Sequence, residues 1–441
     1  MKHEPTLLAG AAAIDITPNK SLHLAGYPFV KRNSTGVHDP LLSSALYLSD
    51  GISQVLFIGN DVIFVPKELA ARARKRIYAI TGVPENNIMV SATHTHSGPS
   101  TVRFTAGSHD PLLPPPDNGF LQQLEDGIVE AAVKAFHGAM PALMGLSVAD
   151  ATGIGTNRLD PLGPKDLEVP VLMVQSASNR QPIGCMLIVN MHPTVLHEDS
   201  TLYSGDFPGC ARRIIQQEFT EGCPVIYHIG AAGNQSPRHV TKENTFKEAE
   251  RIGNILAQAV GKAIDRIVYS NEHTISIQQR FVELPRRSFP GKEEAKAHLD
   301  RSKEKLDWLR SMNKSRQEIR TAEVNWFGAV ETVHLAQLWS EQALEKVYEN
   351  CLPAEIQVFH IGSWTFVAWQ GEIFIEYWLA IKNQMKNTFL ITLANGELQG
   401  YIVTPEAARL GIYEASNAIF DHTGGELLVN ATLGLIKSTV Y

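Results

Sequence analysis

Two imidazoles two residues apart, His94 and His96, lie in Ser91-Ala92-Thr93-His94-Thr95-His96-Ser97-Gly98-Pro99. The apolar run just before them, bracketed by Pro84-Glu85-Asn86-Asn87 and Ser97-Gly98-Pro99, reads as a buried strand. Residues i and i+2 of a strand share a face, so both rings are expected to look into one cavity at the strand's carboxyl end. Open α/β sheets hold their ligands at that end, and neutral imidazole is the commonest metal ligand. Two polar histidines in a surface turn would satisfy the same spacing.

Four further polar clusters stand where apolar segments stop. The run 187–190 delivers a single histidine, His192, in His192-Pro193-Thr194, in the same position relative to its strand as His94. Arg158, in Thr156-Asn157-Arg158, is either a surface salt-bridge residue or, turned inward, a group that steadies an oxyanion. Ser236 closes Gly230-Ala231-Ala232-Gly233-Asn234-Gln235-Ser236-Pro237, whose small residues let the backbone approach a ligand. It is a candidate nucleophile or hydrogen-bond donor, yet the segment lacks a Gly-x-Ser-x-Gly elbow and reads equally as a structural turn. Glu372, after the run 366–369, sits at an expected helix start, where an acid favours the helix dipole or serves as a hard metal ligand. Asp61 and Asp206 could orient the histidines from behind, with ordinary capping as the plainer role.

The elements that must position these groups alternate. Strands are expected at 55–59, 142–149, 169–174, 183–190, 224–229, 355–361 and 364–369. Helices are expected at 67–78 and 121–136, from about 207, and from a cap at Asn244 to 265. Such alternation predicts an α/β fold with a layered, mixed sheet and flanking helices. The stretch 291–350 is rich in Lys, Glu, Arg, Ala and Leu and reads as two or three long helices broken near Gly328, a charged helical insertion. It would either cover a site or make a dimer contact. No internal repeat or low-complexity linker divides the chain, so 1–441 is read as one catalytic domain.

Composition narrows the function. Hydrophobic residues make up 44% and charged residues 19% of 441, a globular balance. A formal charge of -7 argues against a nucleic-acid partner. Cys185, Cys210, Cys223 and Cys351 are scattered and form no Cys-x-x-Cys pair, as expected of buried thiols in a reducing compartment. No run approaches the length of a membrane span. The apolar residues 7–14 lead straight into Asp15-Ile16-Thr17-Pro18 and do not read as a signal peptide. Cytoplasmic residence is the resulting expectation.

Taken in order, these clusters resemble the neutral/alkaline, non-lysosomal ceramidases. Residues 91–99 are similar to that family's Thr-His-Thr-His-Ser-Gly-Pro signature, and the likeness extends from Ala13-Ile14-Asp15-Ile16-Thr17 through Gly36-Val37-His38 to Tyr413-Glu414-Ala415-Ser416. The resemblance implies a catalytic Zn2+ held by His94, His192, Glu372 and Tyr401, with His96, Arg158, Ser236 and Tyr413 lining the site. Asn157 would line it beside Arg158. Two departures stand out. Gln370 replaces a proline beside the glutamate, and Ala231, Asn234 and Gln235 replace the family's Asn, Asp and Val near Ser236. A carboxyl-terminal β-sandwich follows the catalytic region in the family and is not expected here. The implied reaction is metal-assisted hydrolysis of a linear amide, in a small-molecule N-acyl or lipid substrate of sphingolipid metabolism. A more soluble N-acyl compound is the alternative substrate, and a non-catalytic binding protein of the same fold the alternative class. A homo-oligomer is compatible with the sequence.

Overall fold

The computed structural model describes residues 7–438. Its large sheet contains β1 (Leu8–Asp15), β2 (Leu42–Ser49), β3 (Gln54–Asn60), β4 (Ile88–Ala92), β5 (Met140–Asp150), β6 (Glu168–Ser176), β7 (Pro182–Val189) and β8 (Val225–Ile229). Across the sheet the order is β8-β7-β6-β5-β1-β2-β3-β4. The pairs β3–β4 and β7–β8 are parallel, and the other neighbours are antiparallel. A smaller sheet runs β9 (Ile275–Val282), β10 (Ala354–Ile361), β11 (Trp364–Trp369), β12 (Thr388–Ile391), with only its last pair parallel.

The two sheets pack face to face between helices. On β10, Phe359 and Ile361 join Phe57, Met89, Met186 and Ile226 of the large sheet. The alternate residues Ile356 and Val358 join a second cluster with α8 (Ile375–Lys382) and α11 (Gly424–Ser438). This is the period-two alternation that buries both faces of a strand. The outer face of the large sheet is covered by α1 (Lys67–Thr81), α2 (Asn118–His137), α3 (Asp206–Glu218) and α4 (Phe246–Ile264). The result is a mixed α/β fold with flanking helices.

β4 and β8 are opposite edges of the large sheet, and the segment 391–395 brings them together. Ala92 donates its N–H to Leu393 O at 3.2 Å, and Thr392 donates to Ile229 O at 2.8 Å. Beside this seam, Ser91 Oγ lies 2.7 Å from His228 Nδ1, a direct link between the two edges. Both edges thereby find hydrogen-bond partners, as buried backbone requires. The loops leaving β4, β7, β8 and β11 emerge at one end of the closed structure.

Three local expectations change. The stretch 291–350 folds as α5 (Lys292–Ser311), α6 (Arg316–Ser340) and α7 (Glu345–Cys351), but Gly328 lies within α6 instead of breaking it. A Cβ at Gly328 would sit 3.0 Å from the Tyr413 Cα and 2.9 Å from the Ser416 Cβ. The glycine is therefore explained by the close approach of α10 (Tyr413–Asn417). Thr245, not Asn244, caps α4, its side chain accepting from Glu248 N; Asn244 bonds Arg316 at the start of α6. The strand before the histidines ends at Ala92, and His94 takes a left-handed conformation with φ 68°. A shared strand face is thus not what aligns His94 with His96.

Asp61 follows β3 and is fully buried. It pairs with Arg212 of α3, accepts from Leu42 N at 2.8 Å and from Thr93 Oγ1 at 3.1 Å, and so pins the turn that precedes His94. Removing one partner of a buried ion pair strands the other charge, at a cost of about 3–5 kcal/mol. Asp61→Ala is expected to lose that much stability in urea unfolding. A loss under ~1 kcal/mol would show that the pair does not hold this region.

Candidate metal and catalytic site

Each imidazole is fixed by a backbone carbonyl. His94 Nδ1 lies 2.8 Å from Ile63 O, and His192 Nδ1 lies 2.6 Å from Ala232 O. A carbonyl only accepts, so each Nδ1 carries the hydrogen, and in the neutral ring Nε2 presents a lone pair. The two Nε2 atoms are 3.2 Å apart, and Glu372 Oε2 lies 3.3 Å from the first and 3.1 Å from the second. Burial first, and then the charge of Arg158, lowers the pKa of His192 to about 4. Burial opposes ionisation of Glu372, but the two histidines outweigh it and hold the carboxyl well below its usual range. Two imidazole nitrogens and a carboxylate oxygen therefore face one another in a buried space.

That arrangement suits a small cation. Donors about 2.0–2.1 Å from a tetrahedral zinc are separated by about 3.3–3.4 Å, close to the three separations found. His94, His96 and His192 also form a group that could hold a metal, with one nitrogen from each within 4.8 Å of the others. Glu372 makes the tighter triangle with His94 and His192. The His96 ring centroid stands 5.0 Å from that of His94 and 6.0 Å from that of His192, and both His96 ring nitrogens are buried without a hydrogen-bond partner. Burial, then the adjacent His94 and His192, lowers the His96 pKa far below its ordinary value.

Tyr401 enters beside Glu372 because their short strands, Tyr401–Ile402 and Glu372–Ile373, pair in parallel register. Its phenol pKa is raised by burial and by Glu372, while Arg158 acts the other way. Arg158 packs its guanidinium 5.4 Å from the Tyr401 ring centroid and donates Nε–H to Glu414 Oε1 at 2.6 Å. Burial opposes its charge, but Glu414 and Tyr401 prevail and raise its pKa. Its Nη2 is buried and unpartnered. The Tyr413 ring stacks edge-on to Tyr401 at 6.0 Å.

Other candidates fall outside the centre. The Asn157 side chain accepts from Leu159 N at 3.0 Å and donates to Pro164 O at 3.0 Å, so it shapes its own loop. Ser236 Oγ accepts from Arg238 N at 3.1 Å, and among the described residues no histidine or carboxylate bonds it as a base. Asp61 serves Arg212, and Asp206 accepts backbone N–H groups, including Leu196 N at 2.9 Å. The carbonyls of Ile63 and Ala232, not these carboxylates, orient the histidines. The sequence reading also missed Asn234, whose side chain receives Ile375 N at 3.0 Å and donates to Glu376 at 2.9 Å, locking the 230–236 loop to α8. Nor did it find Glu331 of α6, which lines the cavity and accepts from Asn417. Burial raises the Glu331 pKa to about 8. Only their spacing from other polar residues marks these positions in the sequence, and that signal is too weak to select them.

Residues 7–159 match the family described as neutral/alkaline non-lysosomal ceramidase, N-terminal. The neutral ceramidase of Oryza sativa is 24% identical over 47% of this chain and 28% of its own length. That of Pseudomonas aeruginosa is 24% identical over 55% of this chain and 40% of its own. The crystal structure of the Pseudomonas aeruginosa neutral ceramidase superposes with a TM-score of 0.75 and 19% identity, covering 98% of this chain and 75% of that one. The α/β fold is thus the ceramidase fold. Residues 7–159 thus resemble the N-terminal region of that family, and the chain's sequence matches span less than half the length of these curated relatives.

Gly26 keeps His96 in place. Its φ is 96°, and a Cβ there would fall 2.3 Å from His96 Nδ1. Gly26→Ala is expected to push His96 aside, leave metal content intact and slow turnover about a hundredfold, the scale of an ångström-sized displacement. Unchanged turnover with the ring displaced would show that its position does not matter.

Proposed function

We propose that this chain is a zinc-dependent amidohydrolase that cleaves the amide bond of an N-acylated substrate, ceramide-like by kinship. The observation that carries the reading is the triangle of His94 Nε2, His192 Nε2 and Glu372 Oε2, with sides of 3.1–3.3 Å, each imidazole turning its Nδ1 to a backbone carbonyl. These three residues, with Tyr401, would hold the ion. Zinc bound there supplies a Lewis acid that polarises an amide carbonyl and brings the pKa of a water toward ~7.

The surrounding side chains divide the remaining work. Arg158 directs its free Nη2 at the negative charge that develops on the carbonyl oxygen, and Tyr413 donates its phenolic hydrogen there. Neutral His96 takes up a proton and returns it to the departing nitrogen. Its buried, unpartnered nitrogens and lowered pKa support that role. Ser236 contributes binding, not nucleophilic attack, because it lacks a base. An apolar wall of Ile63, Val102, Phe104, Ala106 and Leu113 borders the centre in a cavity of about 900 Å³ including its open mouth, a surface suited to an acyl chain. Among the described residues no helix is long and apolar enough to cross a membrane.

Metal analysis and a panel of N-acyl substrates test the proposal together. The purified protein is expected to carry one zinc and to release fatty acid from ceramide or a simpler N-acyl amine. His94→Ala and His192→Ala are each expected to weaken zinc binding by more than the ~10–100-fold typical of losing an outer partner, and to abolish hydrolysis. Stoichiometric zinc surviving the double substitution would remove the basis of the reading.

A further inference from the structure

A second compartment, of about 610 Å³ including its open mouth, adjoins the first and shares Gly26, Tyr27, Pro28, His96, Tyr401 and Tyr413 with it as lining. Arg158, Arg238 and Arg320 line it, and no carboxylate does. Arg320 is matched by Glu198 at 2.9 Å and Glu323 at 2.7 Å, and Arg158 by Glu414. Arg238 differs: among the described residues it makes no salt bridge, and its closest side-chain partner is Thr321 Oγ1 at 3.5 Å. The one free nitrogen of Arg158, Nη2, is committed to the developing oxyanion, which leaves Arg238 as the guanidinium without a counter-charge. His197, also on this wall, is neutral because burial and then Arg320 lower its pKa to about 3. Arg238 is half-buried, a positive charge partly withdrawn from water without a counter-charge attracts an anion, and a forked guanidinium is the side chain that best matches a carboxylate or phosphate.

We propose that this compartment, with Arg238 as its principal contact, binds an anionic group on the amine half of the substrate, so that the preferred substrate is an N-acyl amine bearing a carboxylate or phosphate. The inference rests on the amidohydrolase reading for which half of the substrate lies where. The scissile carbonyl must sit at the His94–His192–Glu372 centre, and the apolar wall takes the acyl chain. The amine is then left against the arginines, which suit a negative charge better than the uncharged, long-chain amine of ceramide.

Three dodecanoyl amides separate the outcomes: those of glycine, of O-phosphoethanolamine and of ethanolamine. Wild-type protein is expected to favour one or both anionic amides over the neutral one by about tenfold or more in kcat/KM, mostly through KM. Arg238→Gln should bring that ratio close to one, and Arg238→Lys should retain part of it. Which anionic amide leads distinguishes carboxylate from phosphate recognition. Binding of the hydrolysis-resistant isosteres, with CH2 replacing the amide NH, is measured by calorimetry on the same proteins. A charge preference in binding without hydrolysis would uphold the subsite and defeat the amidohydrolase reading. Equal affinity for charged and neutral isosteres, or a preference untouched by Arg238→Gln, would overturn the subsite even if the amides are cleaved. If Arg238→Gln weakens binding of free dodecanoate alone, the arginines serve the acid product, and the inference also fails.

Discussion

Two imidazole Nε2 atoms and a carboxylate oxygen held within 3.3 Å of one another call for a positive charge between them, whether a proton or a cation. The backbone leaves the rings no escape. Ile63 O and Ala232 O claim both Nδ1 hydrogens, so neither histidine can turn its N–H toward its neighbour without losing a buried hydrogen bond. His94 is further committed by its positive φ, a conformation that costs a non-glycine residue on the order of 1 kcal/mol or more. Strain and like-facing acceptors at one point are characteristic of a site shaped around a ligand.

The rest of the fold can be understood as the means of bringing that point together. His94 and His192 follow strands in opposite halves of one eight-stranded sheet, and Glu372 follows a strand of the other sheet. The seam through 391–395 closes the first gap. The 230–236 loop closes the second, since Gly233 N bonds Ile373 O at 2.8 Å while Ala232 O orients His192. Asn234 O receives Arg158 N at 2.8 Å, so one loop also sets the distance from the His94–His192–Glu372 triangle to the guanidinium. The charged helices α5–α7 belong to this arrangement. α6 supplies Arg320 and Glu331 to the two cavities, and Gly328 allows α10 to bring Tyr413 alongside.

Much of this was legible in the chain, and the unread part has physical reasons. The strand–helix alternation and the polar ends of 88–96, 187–192 and 366–372 were visible because apolar runs that stop at titratable residues leave a mark in one dimension. The grouping of His94, His192 and Glu372 came from a family resemblance, since no local pattern links residues so far apart. The strand-face argument for His94 and His96 did not hold, because the left-handed turn at His94 follows from its bond to Ile63, a tertiary contact. Asn157 and Asp61 looked functional by type but are consumed by neighbouring backbone and by Arg212. No motif in the sequence singles out Arg238, and only the carboxylate missing around it in three dimensions sets it apart.

The central claim is that one divalent ion is bound by side chains from three distant segments. A crystal of the native protein, with anomalous diffraction recorded on both sides of the zinc absorption edge, tests it directly. A single zinc peak within about 2.0–2.2 Å of His94 Nε2, His192 Nε2 and a Glu372 oxygen, with Tyr401 completing the set, is the predicted result. A crystal grown with zinc present that shows no anomalous peak between these residues, or one bound elsewhere on the chain, would contradict it.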